Sequence, residues 1–316
     1  MGAVSVVVNC YNYGRFVVEA IDSALAQSVP PAEVIVVNDG STDETQRVLD
    51  ERFGNHPIVK ILHQRNGGHL SAFVLGMEHA SGDVICFLDA DDKYEPNHLE
   101  QVTRVFAENE DVDFVFTAHH RFGEDDRVVQ HAPEDLDLGF SVIATLKSRI
   151  YIGTITSALA IRRSLSLTLL PALRQAAPRW RNRADDCIVY GASLAGAKKY
   201  YLATPTVLYR IHAQNEHRFG QMVHFNEFYR HGLRRDTFFE LLCNHLGLGP
   251  SVRLHVVAEF LSIKQPTRNQ YRVYVRLNRR FRESFVYGLK GRIKIYLHYK
   301  RYRPAWDVSA PAAFQP

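Results

Sequence analysis

Cysteine, methionine and tryptophan are scarce in this chain of 316 residues, with four, three and two of them respectively. Cys10, Cys86, Cys187 and Cys243 stand far apart, so no paired thiolate spacing marks a zinc site or a disulfide framework. Cys10 and Cys86 lie in or beside apolar runs, where a buried thiol behaves as a small hydrophobe; this favours a reducing compartment. Long hydrophobic runs are missing as well. Residues 142–161 look apolar, but Lys147 and Arg149 interrupt them well short of a membrane span. No signal peptide is expected at the start, because residues 4–8 already read as a strand. The expected location is the cytoplasm, or the cytoplasmic face of a membrane. No G-x-G-x-x-G follows the first strand, which removes a dinucleotide-binding dehydrogenase.

What is present suits a folded enzyme. Hydrophobic residues make up 46% of the chain and charged ones 23%, enough for one large core or two modest ones. The net charge of +4 hides an asymmetry: residues 221–316 carry 17 Lys/Arg against 6 Asp/Glu, and residues 1–220 carry 21 against 28. In the first half, short β-branched runs at 4–8, 34–37, 59–62 and 84–88 alternate with helical patterns, the latter including 45–53 and 71–79. Apolar runs of this length suit a parallel sheet covered on both faces, hence an α/β fold with right-handed crossovers. Ligands of such sheets bind at the carboxyl ends of the strands.

Three of those ends are polar: Asn9-Cys10-Tyr11-Asn12, Asn38-Asp39-Gly40-Ser41-Thr42-Asp43, and Asp89-Ala90-Asp91-Asp92. Ser41 or Thr42 is expected to cap the following helix, and Asp43 reads equally well as a structural or a functional acid. Asp92 is expected to cap the next helix, with Pro96 in its first turn. Three acids crowded after a buried strand repel one another unless a cation neutralises them. Hard oxygen ligands suit Mg²⁺ or Mn²⁺ completed by substrate phosphates.

At these residues the chain resembles the family 2 inverting glycosyltransferases of GT-A fold, over about residues 3–215. Tyr11-Asn12 and the 36–43 segment are similar to that family's nucleotide-binding start. Asn66-Gly67-Gly68, with Ala72 and Gly76, resembles its helix entry, and Asp89-Ala90-Asp91 its DxD motif. Tyr209-Arg210-Ile211-His212 with Asn215 resembles its late YRxH element. The resemblance implies a Rossmann-like mixed sheet filling residues 1–220 and a helical, basic region over 221–316. It implies a nucleotide-diphosphate sugar donor, UDP-sugar favoured, and a hydroxyl acceptor in polysaccharide, glycolipid or natural-product assembly. Tyr11, Asn12, Asp39, Asn66, Gly67, Asp89 and Ala90 would contact donor or nucleotide, with Asp39 on the base. Asp91 and His212 would hold the Mn²⁺ or Mg²⁺; the alternative for His212 is a histidine satisfied inside a turn.

An acceptor hydroxyl is a poor nucleophile at neutral pH, so a carboxylate must take its proton, a role worth roughly 10²–10⁴ in rate. The family usually shows Glu-Asp at the start of a helix for this purpose. Here the pair is Asp185-Asp186, which makes Asp186 the base and Asp185 its support. The alternative is that both acids only favour a helix N-terminus. Residues 153–157, small and hydroxyl-rich, would line the sugar pocket. His69 receives no role.

Beyond residue 220 the pattern turns helical. Phe225, Phe228, Phe238, Phe239, Leu241 and Leu242 are expected to pack on the body or on another subunit of a homo-oligomer. From 253 to 303 there are 14 Lys/Arg, interleaved with aromatics, and two acids, Glu259 and Glu283. That composition fits an anionic membrane surface or a lipid-linked acceptor, or else a plain helical subdomain; nucleic acid ranks last. Residues 305–316 are expected to fray. Two other functions compete: a sugar nucleotidyltransferase, disfavoured by a first loop with one glycine, and a non-catalytic sugar-nucleotide-binding protein, disfavoured by the intact acids.

Overall fold

The computed structural model describes residues 2–213, 225–281 and 285–306. Strand and helix alternate as β1 (Val4–Cys10), α1 (Val17–Leu25), β2 (Glu33–Asn38), α2 (Thr45–Phe53), β3 (Val59–His63), α3 (His69–His79) and β4 (Val84–Asp89). Then come β5 (Lys93–Tyr94), α4 (His98–Glu108), β6 (Phe114–Gly123), β7 (Arg127–Val129), β8 (Leu136–Gly139) and α5 (Val142–Ser148). Next are β9 (Leu159–Arg162), α6 (Arg163–Ala176), α7 (Ala184–Leu194) and β10 (Lys199–Ile211). Four helices follow: α8 (Phe225–His245), α9 (Val256–Leu261), α10 (Arg268–Arg280) and α11 (Phe285–Tyr302).

Among the described residues the strands form one mixed sheet in the order β3-β2-β1-β4-β9-β6-β10-β5, with β7 on β6 and β8 on β10. The parallel half, β3 to β4, comes from the four apolar runs read in the sequence. Every strand outlasts its apolar run, because the ladder continues over polar residues: Cys10 pairs with Asn38 and Asn9 with Asp89. The first residues of each polar end are thus held by the sheet itself, and the rest continue into the loops beyond it.

Alternate residues of the strands feed two cores, as parallel strands covered on both faces require. Val7, Ile35, Val37 and Phe87 pack under α3, α6 and α7, whereas Val6, Val8, Val36 and Leu88 pack under α1, α2 and α4. The C-terminal helices join the first core through Phe238, Phe239, Leu242, Phe260 and Tyr274. Glu259 of α9 seats them: its buried carboxylate accepts Ile143 N at 2.8 Å and Ala144 N at 3.0 Å, capping α5 from outside. Tyr274 Oη donates to the same carboxylate at 2.7 Å. The expected packing of Phe238, Phe239 and Leu242 is on this body; the side chains of Phe225 and Phe228 lie outside the described residues, as do residues 307–316.

Three helix entries differ from expectation. Neither Ser41 nor Thr42 caps α2; Asp43 Oδ1 accepts Thr45 N at 3.0 Å, so the acid with an undecided role does the structural work. Ser41 and Thr42 instead bind Asn12, whose backbone N–H donates to Ser41 Oγ at 2.9 Å and whose Oδ1 accepts Thr42 N at 2.7 Å. Asp92 does not cap α4 either. That helix opens at His98, after Pro96, and Asp92 is buried beneath the site. Helix α3 starts at His69, two residues before the expected 71, so His69 belongs to a helix and not to a turn.

Candidate active site

The loops after β1, β2, β3 and β4 meet at one edge. The Asp39 carboxylate, buried after β2, accepts Gln64 Nε2 at 2.6 Å, Gly67 N at 2.8 Å and Gly68 N at 2.8 Å. It therefore shapes the entry to α3. Asn66 Oδ1 accepts Arg181, and His69 N donates to Arg181 O at 2.8 Å, which ties that entry to the segment before α7. Gly68 has φ +90°, and a Cβ there would come within 2.5 Å of Arg181 Cα. Only glycine lets the two segments approach so closely. Asn12 also adopts left-handed backbone, with φ 57°, and Tyr11 beside it is exposed.

The acids after β4 take different environments. Asp89 Oδ1 lies 2.9 Å from His69 Nε2, and Asp91 Oδ2 lies 3.0 Å from His212 Nε2. Ala90 is buried, its amide donating to Asn9 O at 3.2 Å to extend the ladder. Asp92 accepts Ser157 Oγ at 2.6 Å and Arg210 N at 2.9 Å. Ser157 in turn accepts Asp89 N at 3.0 Å. Desolvation raises the Asp89 carboxyl above its ordinary range, and His69 opposes that shift. Burial raises Asp92 further, with the charges of Asp91 and Asp89 adding to it. Arg210 meets this charge: its Nε donates to Asp91 O at 2.8 Å and its Nη2 to Glu19 at 2.9 Å.

The second acid pair opens α7. Asp185 is half-buried, with Tyr151 Oη 3.0 Å from its Oδ2. Asp186 is 2% exposed and gripped by Arg183, Nε to Oδ2 at 2.9 Å and Nη2 to Oδ1 at 3.0 Å. His231 Nε2 of α8 stands 3.3 Å from the same Oδ2. Burial, followed by the neighbouring Asp185 charge, pushes the Asp186 carboxyl up to about 7 despite Arg183.

His69 bridges the Asp89 carboxylate and the backbone at the start of α7. Ala184 N, at the start of α7, donates to its Nδ1 at 3.2 Å, so Nε2 carries the proton and donates to Asp89. Sequence reasoning gave this residue no part. The only signal was its place directly after Asn66-Gly67-Gly68. Arg183 and His231 were also missed, the latter because it lies on a helix remote in sequence, and Arg210, though quoted in the YRxH element, received no role of its own. Of the residues singled out, the structure brings together Asp39 with Gly67, and Asp91 with His212, and it sets Asp89 near the start of α7, where His69 holds the Ala184 N–H. Tyr11 is exposed beside Asn12, and Asn215 lies outside the described residues.

Among the described residues no three His, Cys, Asp or Glu side chains gather into a metal cage. The Asp91–His212 pair still offers one carboxylate oxygen and one imidazole nitrogen at a shared point. A protein contribution of one or two ligands is what a substrate-completed Mg²⁺ or Mn²⁺ needs.

The profile described as "Glycosyl transferase family 2" matches residues 5–167. An uncharacterized glycosyltransferase of Nostoc sp. is 33% identical over 220 residues, 68% of this chain and 66% of that protein. The chondroitin synthase of Pasteurella multocida is 35% identical over 126 residues, 40% of this chain and only 13% of that protein. The chain thus spans less than two thirds of either relative. A crystal structure of Staphylococcus aureus TarS 1–349 in complex with UDP-GlcNAc superposes with a TM-score of 0.58 at 16% identity, over 94% of this chain and 89% of that one.

Proposed function

The chain belongs to glycosyl transferase family 2, and from that premise we propose an inverting transfer of a sugar from a nucleoside-diphosphate donor to a hydroxyl acceptor. The observation that carries it is that His69 ties the Asp89 carboxylate to the backbone N–H of Ala184, which sets the Asp89-Ala90-Asp91 loop beside the helix start bearing Asp185 and Asp186, close enough for the Asp185 charge to act on Asp89. A UDP-sugar is favoured as donor; TarS, which shares the fold, has been crystallised with UDP-GlcNAc. Acceptors in polysaccharide or glycolipid assembly are favoured by the likeness to chondroitin synthase.

Asp91 and His212 would hold the Mn²⁺ or Mg²⁺. When bound there, a divalent cation stabilises the charge developing on the departing diphosphate by several kcal/mol. Asp39, with the Asn66-Gly67 entry, receives the base, and Tyr11 and Asn12 border it from the β1 turn. Asp89 and Ala90 adjoin the ribose and donor sugar, with Asp89 oriented by His69. Arg210 fixes the backbone of the acid loop. Asp186 accepts the acceptor's proton, and a carboxyl near 7 is suited to that task at neutral pH. Residues 1–220 carry all of these roles, and the described residues beyond 220 form helices α8 to α11 of the basic region.

One observation favours a second assignment within the same mechanism. Asp185 is the less buried of the pair, and its charge acts on Asp89. On that reading Asp185 is the base and Asp186 the Arg183-held support.

A panel of nucleotide sugars, read by melting with and without Mn²⁺, tests the function. A donor at 100 times its dissociation constant adds about 2.7 kcal/mol to stability. Metal-dependent stabilisation by one or more sugar nucleotides, with release of nucleoside diphosphate, is expected. Consumption of a nucleoside triphosphate with a sugar phosphate would indicate a nucleotidyltransferase instead. Binding without turnover in the presence of varied acceptors would indicate a non-catalytic binder.

A further inference from the structure

Helix α11 is built inside out. Its glycines face inward: Gly288 O accepts Asn278 Nδ2 of α10 at 2.9 Å, and a Cβ on Gly291 would meet Asn278 Oδ1 at 2.6 Å. Ile295 is buried beside them. The larger aliphatic side chains point out, with Val286 58%, Ile293 50% and Leu297 57% exposed, and Leu289 and Tyr296 exposed next to them. At 100° per residue these five positions form one stripe along the outer face. Lys290, Lys294 and Arg301 flank that stripe on one side, and no acid occurs anywhere in α11. The neighbouring α10 also lacks acids and exposes Arg272, Arg276, Arg279 and Arg280.

A contiguous apolar stripe on a surface marks a contact site. We propose that α11 docks the protein on an anionic lipid bilayer, its aliphatic stripe entering the headgroup boundary and its cations meeting lipid phosphates. An interfacial helix needs this pairing of an apolar stripe with Lys/Arg alongside. A second copy of the chain fits less well, because symmetric pairing would set Lys290 and Lys294 against the like charges of their copies. Nucleic acid would use the cations but leave the five apolar side chains in water. Among the described residues no helix is long and apolar enough to cross a membrane, so α11 lies on the surface. The inference is independent of the sugar-transfer reading, since docking requires neither donor nor acid cluster.

The test is co-sedimentation of the full chain with vesicles of phosphatidylcholine alone or mixed equally with phosphatidylglycerol. Binding to the mixed vesicles only is expected, weakening as salt rises, since the screening length falls from about 10 Å at 0.1 M to about 3 Å at 1 M. Ile293→Ser with Leu297→Ser, and separately Lys290→Gln with Lys294→Gln, should each lower binding about tenfold or more. All four positions are exposed or lie on the outer face, so melting and donor hydrolysis should not change. The proposal is overturned if wild type stays in the supernatant, or if both double variants sediment like wild type. It is also overturned if the serine variant instead dissolves a dimer seen by analytical ultracentrifugation. Duplex DNA binding that depends on the lysines but not on Ile293 and Leu297 would assign the face to nucleic acid.

Discussion

Asp186→Asn separates a catalytic carboxylate from a structural one, because the two roles give stability changes of opposite sign. Burial holds the carboxyl at about 7 against an ordinary 3.8, and each unit corresponds to 1.36 kcal/mol. Between those values the folded state binds the proton that the unfolded state releases. The protein therefore loses stability as pH rises across that window, on the order of 4 kcal/mol by pH 8. Asparagine resembles the neutral acid and carries no such cost. The variant should melt several degrees above wild type at pH 8, and the difference should vanish near pH 4. Turnover should fall at least about a hundredfold, with donor affinity little changed. Wild-type turnover should climb as pH passes through about 7, when the base loses its proton. Melting scans across pH, with steady-state rates on a donor found by the panel, provide the measurements. If the variant is less stable than wild type at pH 8, the pairing with Arg183 outweighs burial and the electrostatic argument fails. If turnover stays near normal while Asp185→Asn is inactive, the two acids exchange roles.

Asp91→Asn should leave melting almost unchanged without ligand but abolish most Mn²⁺- or Mg²⁺-dependent nucleotide binding, measured by calorimetry; full activity in excess chelator would remove the metal from the mechanism. His69→Phe leaves Ala184 N and Asp89 without their partner, about 1–3 kcal/mol for each group, and should lower both melting temperature and turnover. His69→Gln should recover part of the loss, because an amide can donate and accept. Gly68→Ala forces a side chain against Arg181 in left-handed backbone and should cost about 1–3 kcal/mol in denaturant titrations.

The parallel half of the sheet was legible because its strands are short, centred on apolar runs and separated by helical periodicity, so burial determined the location and type of all but the partly exposed edge strand β3. Segment ends were less legible. Residues 41–43 contain three good cap formers, and only the closure of Asn12 onto Ser41 and Thr42 leaves Asp43 for Thr45. Asp92 was misplaced for a similar reason: an acid before a helical pattern looks like a cap, whereas its partners, Ser157 and Arg210, lie 65 and 118 residues away. Patterns within a dozen residues carry no information about such partners. His69 and His231 were invisible on the same ground. Each acts by reaching an acid brought close by folding alone.

Strand β10 has an unusual part in this assembly. It begins just after α7, which carries Asp185 and Asp186, and His212 follows its last residue, Ile211. Of its 13 residues, Lys199–Leu202 pair with β6 and in part with β8, and Val207–Ile211 pair with β6 and in part with β5. At its root Lys199, wholly buried, donates to Val189 O of α7 at 2.9 Å and to Ile152 O at 2.8 Å. Paired with β6 at both of its ends, Lys199–Leu202 and Val207–Ile211, the strand works as a ruler between the acid pair and His212. Donors or acceptors of different size must then be accommodated by the surrounding loops. Chimaeras that transplant α7 and β10 as one cassette should keep the ruler intact. Insertions at the register shift between Leu202 and Val207 should change its length, moving one end of the site relative to the other.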